Sequence, residues 1–402
     1  MRLGFYTPNY PGITQDGGIG TYTRDLARTL AQLGHVVHVV TPGTGDDHID
    51  GDVHVHQVNL RHVPIIDRFY PGYGNCRYLS LRLKQLVDQH QLQLIELPNW
   101  EGLGIFYQWS RKTPTVVRLH TSSKETQIID QLPMTRLLQW DVKREHQQAR
   151  QADLLITHSE AHRQMMCNEL AISADRIELI PHGVEVFPDF VRLPRSPGPF
   201  RVVFLGRLEK RKGTLELLQA FPKVLELHPG TELILIGTDR PHCPGDRTHA
   251  QWIGDELPQA VRQQTHLAGR LPQEQVNQLL QAADVFIAPS RFESFGLIYP
   301  EAMRWGVPVI GCNVGGVPEI IENEKSGLLI SPESPEAIVQ ALHRLLRDES
   351  LRQQLGAAGR KRVESEFSSM KMAERVVVKF EKLLASKGRQ TNFDSRVSSR
   401  SA

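Results

Sequence analysis

Residues 186–206 read VFPDFVRLPRSPGPFRVVFLG, and the fold turns on where this stretch breaks. Residues 186–199 hold four prolines and no apolar period. Proline fixes φ and offers no backbone N–H, so this part reads as a linker. Phe200 then opens an apolar, β-branched run that ends at Gly206, the pattern of a fresh strand. This break near the middle divides the chain into two similar halves.

Similar runs recur outward on both sides. Residues 3–7, 36–41, 92–97, 115–120 and 153–158 precede the break, and 201–206, 232–237, 266–269, 284–288 and 307–311 follow it. Helical stretches separate them. In residues 21–33, Leu26, Leu30 and Leu33 fall on one face and Gly34 stops the helix. Continuous apolar strands alternating with helices indicate parallel sheets covered on both faces. The expected fold class is α/β, with two Rossmann-like, doubly wound parallel-sheet domains facing a cleft, since such sheets bind ligands beyond the carboxyl ends of their strands.

Bulk properties narrow the function. At 402 residues the chain exceeds one ordinary core. No apolar run approaches the roughly 18 residues of a membrane span. The opening Met1-Arg2-Leu3-Gly4-Phe5 enters a strand at once, which leaves no room for a leader. A net charge of +2 demands no nucleic-acid partner. Cys76, Cys167, Cys243 and Cys312 lack paired spacing and read as reduced, cytoplasmic thiols.

Three loops carry chemistry. Gly17-Gly18-Ile19-Gly20 opens a helix and could expose backbone N–H groups to an anion, or simply allow close packing. It is not the strict dinucleotide fingerprint. Gly206-Arg207-Leu208-Glu209-Lys210-Arg211-Lys212-Gly213 follows the first strand of the second half. Arg207 offers a planar fork and Lys212 a point charge, together enough to hold a diphosphate without metal. The third loop, Pro289-Ser290-Arg291-Phe292-Glu293-Ser294-Phe295-Gly296-Leu297-Ile298-Tyr299-Pro300-Glu301, places seven residues between two glutamates. A helix starting near Gly296 would set their backbones at least about 12 Å apart. Carboxylates sharing one glycosidic bond sit about 5 to 9.5 Å apart. The spacing better suits two hydroxylated ends of one long ligand. Asp50-Gly51-Asp52 resembles a metal-binding DxD, but a turn into an exposed strand explains it. His242, Cys243 and His249 match no standard zinc spacing.

These motifs resemble glycosyltransferase family 4, the large group of retaining GT-B enzymes. The resemblance spans about residues 1–385 and rests on the loop 17–20, Arg207 and Lys212 in 206–213, and Glu293 and Glu301. Pro181-His182-Gly183-Val184-Glu185 and Gly315-Gly316-Val317-Pro318-Glu319 also match. It implies a metal-independent, cofactor-free transfer of a hexose-type sugar from a UDP-, GDP- or ADP-linked donor to a hydroxyl of a lipid, saccharide or small molecule. Gly17, Gly18 and Gly206 would belong to the donor site, with Arg207 and Lys212 on the diphosphate. Glu293 would take sugar hydroxyls, helped by Ser294 and by backbone N–H groups of Phe295, Gly296 and Leu297, and Glu301 would take the ribose. Arg270 would lie near the nucleobase, and His120 near the reacting carbon. His120, Arg207, Lys212 and Glu293 are the expected catalytic set.

The resemblance implies residues 1–185 as an acceptor domain, 186–366 as a donor domain and 367–385 as a helix crossing back, while residues 386–402, polar and serine-rich, read as a disordered tail. A non-catalytic sensor or a sugar-nucleotide epimerase on the same fold stays open. Arg77, Arg82 and Lys84 would suit peripheral contact with the inner face of a membrane, though a solvated amphipathic helix accounts for them more simply.

Overall fold

The computed structural model describes residues 1–14, 17–111, 113–129, 131–192, 195 and 197–398; for 388–398 it describes the helical backbone alone. Two compact units emerge, Met1–Gly183 with Ser369–Ala402, and Val184–Ser368. The first boundary thus falls before Val184, two residues earlier than the proline count suggested. The physical reason is packing. Phe187 stacks on Trp305 with ring centroids 4.9 Å apart, Phe190 meets the same indole edge-on at 4.9 Å, and the Phe187 carbonyl accepts from Arg360 Nη2 at 3.0 Å. What composition marks as linker is, over its described residues, a strap on the second unit.

The first unit holds β1 (Arg2–Tyr6), β2 (Val36–Pro42), β3 (His48–Asp50), β4 (Val53–Val58), β5 (Leu94–Pro98), β6 (Thr115–Arg118), β7 (Leu154–Thr157) and β8 (Ile177–Leu179). Their order is β3-β4-β2-β1-β5-β6-β7-β8, parallel except for the edge strand β3. Strand order reverses between β1 and β5, so right-handed crossovers put helices on both faces. Helix Gly18–Gln32 buries Leu26 and Leu30, and Gly34 at φ +83° ends it, its N–H donating to Ala31 O while His35 donates to Leu30 O. Helix Tyr73–His90 buries Leu79, Leu83 and Leu86 and leaves Leu81 half exposed.

One expectation is corrected here. The segment after Gly51 is not an exposed strand. Val53, Val55, His56 and Val58 are buried because β4 pairs with β2 inside the sheet. Helix Ser369–Ser398 seats Met372, Ala373, Val376 and Phe380 in the first unit, and once a helix is nucleated each further turn propagates readily. Residues 399–402 of the expected tail lie outside the described residues.

The second unit holds β9 (Arg201–Leu205), β10 (Glu232–Ile236), β11 (Thr265–Gly269), β12 (Val285–Ala288), β13 (Val309–Cys312) and β14 (Leu328–Ile330). All are parallel, in the order β11-β10-β9-β12-β13-β14. Val202, Val203, Phe204, Leu233, Leu235, Phe286 and Ile287 are fully or almost fully buried in its core. Burying each such side chain contributes about 1.5–3 kcal/mol relative to exposure. Strand order again reverses, between β9 and β12, and that is where a doubly wound sheet opens a crevice for ligand.

Candidate active site

The loops leaving β9 and β12 are neighbours because their strands pair. After β9, Gly206 adopts φ +149° and donates its N–H to Ile236 O at 2.9 Å. A Cβ on the adjoining Gly237 would lie 1.9 Å from Gly206 O, so the two backbones approach closer than any side chain permits. Lys210–Lys212 then makes one tight turn that closes on Gly213 at φ +68°. A Cβ there would lie 2.0 Å from Pro289 O, in the second loop. Only glycine satisfies both the left-handed backbone and that contact.

The loops are laced further. Arg291 N–H donates to Arg211 O at 2.8 Å, and Gly316 N–H donates to Glu293 O at 3.0 Å. Gly315 sits at φ +50° where a Cβ would be 2.0 Å from that same carbonyl. Arg291 reaches the carboxylates of Glu216 and Glu333. Glu293 is thereby fixed from the β9 loop on one side and the loop after β13 on the other.

This scaffold brings Lys212 and Glu293 together. Lys212 Nζ lies 2.6 Å from Glu293 Oε1, and Ser290 Oγ donates to the same oxygen at 2.8 Å. Arg211 Nη1 stands 4.0 Å from Oε2 and Nη2 2.9 Å from Glu209 Oε1. Burial pushes the Glu293 carboxyl up, but Lys212, Arg211 and Ser290 outweigh it and hold the group below its ordinary value. Burial likewise lowers the Lys212 ammonium, which Glu293 partly restores. Both of these hydrogen bonds fall on Oε1, whereas Oε2 faces the Arg211 guanidinium at 4.0 Å.

Arg207 behaves differently. Its side chain is 51% exposed and touches Glu209 Oε1 at 3.2 Å. Sequence reasoning paired Arg207 with Lys212 on one ligand. The structure leaves Arg207 at the surface and commits Lys212 to Glu293. Glu301 lies in the first turn of a short helix, Ile298–Met303, which begins two residues later than expected because Gly296 takes φ +100° over the Tyr299 ring. Tyr299 anchors that helix by donating to Ala288 O at 2.7 Å. Phe295 turns its ring toward Phe367 in the core, with centroids 5.9 Å apart. Arg270 is exposed just beyond β11, whose Gly269 O accepts from Gly237 N–H at 2.8 Å.

In the first unit, Gly17 precedes helix Gly18–Gln32 in an extended conformation with no side-chain cap. A Cβ on Gly18 would meet nothing within 4 Å, so that end is open, whereas Gly17 and Gly20 press on Asn9. His120 follows β6. Asn99 clamps its backbone with two hydrogen bonds, of 2.7 and 3.0 Å. The ring is 7% exposed, and its Nε2 has no partner among the described residues. Burial holds the imidazole well below its usual value, with Arg118 and His162 adding repulsion, so it is neutral. Tyr22 and His182 pack against it with centroids 5.4 and 5.5 Å away.

Sequence reasoning did not find the polar core under this histidine. Arg118 is fully buried, with Nε 3.5 Å from Glu96 Oε1 and Nη1 donating to Ile180 O at 3.2 Å. Tyr22 donates to the same Glu96 oxygen at 2.7 Å. Nor did it find Arg211 or Ser290. In 240–251, His249 spends both ring nitrogens on Asp239 and Thr214, each at 2.9 Å, which makes it structural. Asp50 of the DxD look-alike accepts from Tyr10 OH at 2.7 Å and pairs with Arg28.

Comparison with known proteins decides the family. Residues 188–362 match the model for Glycosyl transferases group 1, and residues 16–186 match that for Glycosyltransferase Family 4. A glycogen synthase of Mycobacterium tuberculosis is 30% identical over 407 residues, 91% of each chain. This chain belongs to glycosyltransferase family 4. Another relative of the glycosyltransferase is a D-inositol 3-phosphate glycosyltransferase of Corynebacterium jeikeium, 28% identical over 86% of this chain and 87% of its own. Among solved structures, sucrose-phosphate synthase from Thermosynechococcus elongatus superposes with TM-score 0.77 at 21% identity, covering 96% and 99% of the two chains. Anabaena HepE, solved with UDP and glucose, gives 0.67 at 19% identity over 95% and 99%. Both likenesses concern the GT-B fold. Among its described residues, no helix of the glycosyltransferase is long and apolar enough to cross a membrane.

Proposed function

We propose that this glycosyltransferase moves a hexose-type sugar from a nucleoside-diphosphate donor to a hydroxyl acceptor with retention at the anomeric carbon. The observation that carries this reading is the Lys212–Glu293 pair, fixed at the strand-order reversal with Arg207 exposed beside it. The anomeric C–O bond breaks, and its electrons pass to the departing phosphate oxygen. Arg207 and Lys212 meet the charge that grows there, so they favour the transition state over the ground state. Glu293 Oε2 accepts from a sugar hydroxyl while Oε1 stays with Lys212 and Ser290. Glu301 takes the ribose hydroxyls, backbone N–H groups at 295–297 and the open end at Gly17 and Gly18 favour the diphosphate, and Arg270 lies near the base. The acceptor oxygen bonds to the same face of the carbon, and its proton goes to the leaving phosphate. No step calls on a metal or a cofactor. His120, neutral and with Nε2 unspent, accepts from a hydroxyl of the reacting sugar.

The test is product analysis. Wild-type protein is incubated with UDP-, GDP- and ADP-sugars, with and without a panel of lipid, saccharide and small-molecule hydroxyl acceptors. Release of nucleoside diphosphate only with acceptor present, and a product whose anomeric coupling in NMR matches the donor's, are expected. A product of opposite configuration would refute retention. Interconversion of the donor sugar without release would favour an epimerase, and binding without any turnover a sensor.

A further inference from the structure

Asp47, Arg2 and Arg82 gather around a second histidine group in the first unit, and the glycosyl-transfer reading uses none of it. His38 lies in β2 and His54 and His56 in β4, with His38 directly opposite His54 and Val40 opposite His56. His90 ends helix Tyr73–His90, its carbonyl held by Arg2 Nε at 2.5 Å. The group sits where β1 begins, at the end of the sheet opposite His120 and Gly18. One ring nitrogen from each of His38, His56 and His90 lies within 4.8 Å of the other two.

We propose that His38, His56 and His90 form a structural binding site for a late first-row divalent cation, zinc above all, with His54 or water at the fourth position. Two observations support it. Asp47 Oδ2 accepts from His56 Nδ1 at 2.7 Å, which turns the His56 Nε2 lone pair inward, and carboxylates orient metal-bound imidazoles in the same way. Asp47 is itself fixed by Gln57 N–H at 3.0 Å and Arg82 Nη2 at 2.5 Å. Finally, His54 stacks on His38 with centroids 4.7 Å apart and 14° between planes, which places a fourth imidazole beside the set.

Imidazole nitrogens suit zinc, copper and nickel, and bind zinc at about 2.0–2.1 Å. Tetrahedral ligands at that range stand roughly 3.3 Å apart, so the rings close by roughly 1.5 Å at most. His38 Nδ1 now lies 2.9 Å from His56 Nε2. With His56 Nδ1 donating to Asp47, the shared proton sits on His38 Nδ1. Metal binding through Nδ1 moves that proton to Nε2, with no net proton lost. The opposing charges are Arg2 and Arg82, and Asp47 already neutralises Arg82. Bound metal would tie β2 and β4 to the end of the helix that covers them.

The full chain, stripped with chelator and dialysed, is titrated with Zn²⁺ against a chromophoric competitor and with Co²⁺ for its visible spectrum. One tight equivalent and a tetrahedral Co²⁺ band are expected. His38→Gln and His90→Gln should each weaken binding by about 100-fold or more, and Asp47→Asn by about 10–100-fold. His62→Gln, whose ring is 77% exposed, should change nothing. His90 is the last residue of its helix and its variant should keep native circular dichroism, so lost binding there is not lost folding. Less than one equivalent bound by wild type, or a His90→Gln affinity within twofold of it, would overturn the site.

Discussion

Lys212→Met is expected to cut transfer by about 10³-fold and to cost about 3 kcal/mol of stability. The first figure follows from removing a fixed cation at a developing oxyanion, worth about 10²–10³ in turnover, together with the loss of Glu293's position. The second follows from burial. Glu293 is 6% exposed, and without the ammonium at 2.6 Å its carboxylate keeps only Ser290 and the Arg211 guanidinium at 4.0 Å. Breaking a buried pair by deleting one partner costs about 3–5 kcal/mol, and Arg211 keeps the loss at the lower end. The double variant Lys212→Met/Glu293→Gln should regain most of the stability and none of the activity. Denaturant unfolding and initial transfer rates measure both. A double variant as unstable as Lys212→Met would refute the charge account.

Arg207→Ala separates the two quantities. Turnover should fall by about 10²–10³-fold with KM for the donor little changed, because a cation aimed at the leaving group acts mostly in the transition state. Stability should stay within about 0.5 kcal/mol of wild type, since a half-exposed guanidinium on Glu209 contributes little. Near-normal turnover would remove Arg207 from the chemistry. A large drop in melting temperature would show that its contact with Glu209 matters to the fold.

The contrast between these residues shows what a sequence can and cannot carry. Strand runs such as 201–206 and 284–288 are legible because a strand buried on both faces must be apolar throughout, and the structure places β9 and β12 there. The glycines at 206, 213 and 296 are legible as loop signals, although their reasons are long-range. Gly213 is needed because Pro289, 76 residues on, passes beneath it. Short strands β8 and β14 have three residues each and no periodicity to detect. The Lys212–Glu293 contact was invisible for a similar reason. Each residue alone suits a ligand, and only the pairing of β9 with β12 makes them suit each other. Arg118, Glu96 and Tyr22 come from two strands and a helix, and nothing in their neighbours' identities announces a buried charge pair. Composition reads residues 186–192 as linker because it weighs proline and cannot see Trp305, on which Phe187 and Phe190 pack.

The central claim is that the loops after β9 and β12 hold a nucleoside diphosphate. Melting curves of wild type and Glu301→Ala with UDP, GDP or ADP test it most directly. A ligand at about 100 times its Kd stabilises by about 2.7 kcal/mol, roughly 5–10 °C for a unit of this size. One nucleotide should produce such a shift in wild type and little or none in Glu301→Ala. No shift with any of the three, or an equal shift in the variant, would contradict the account.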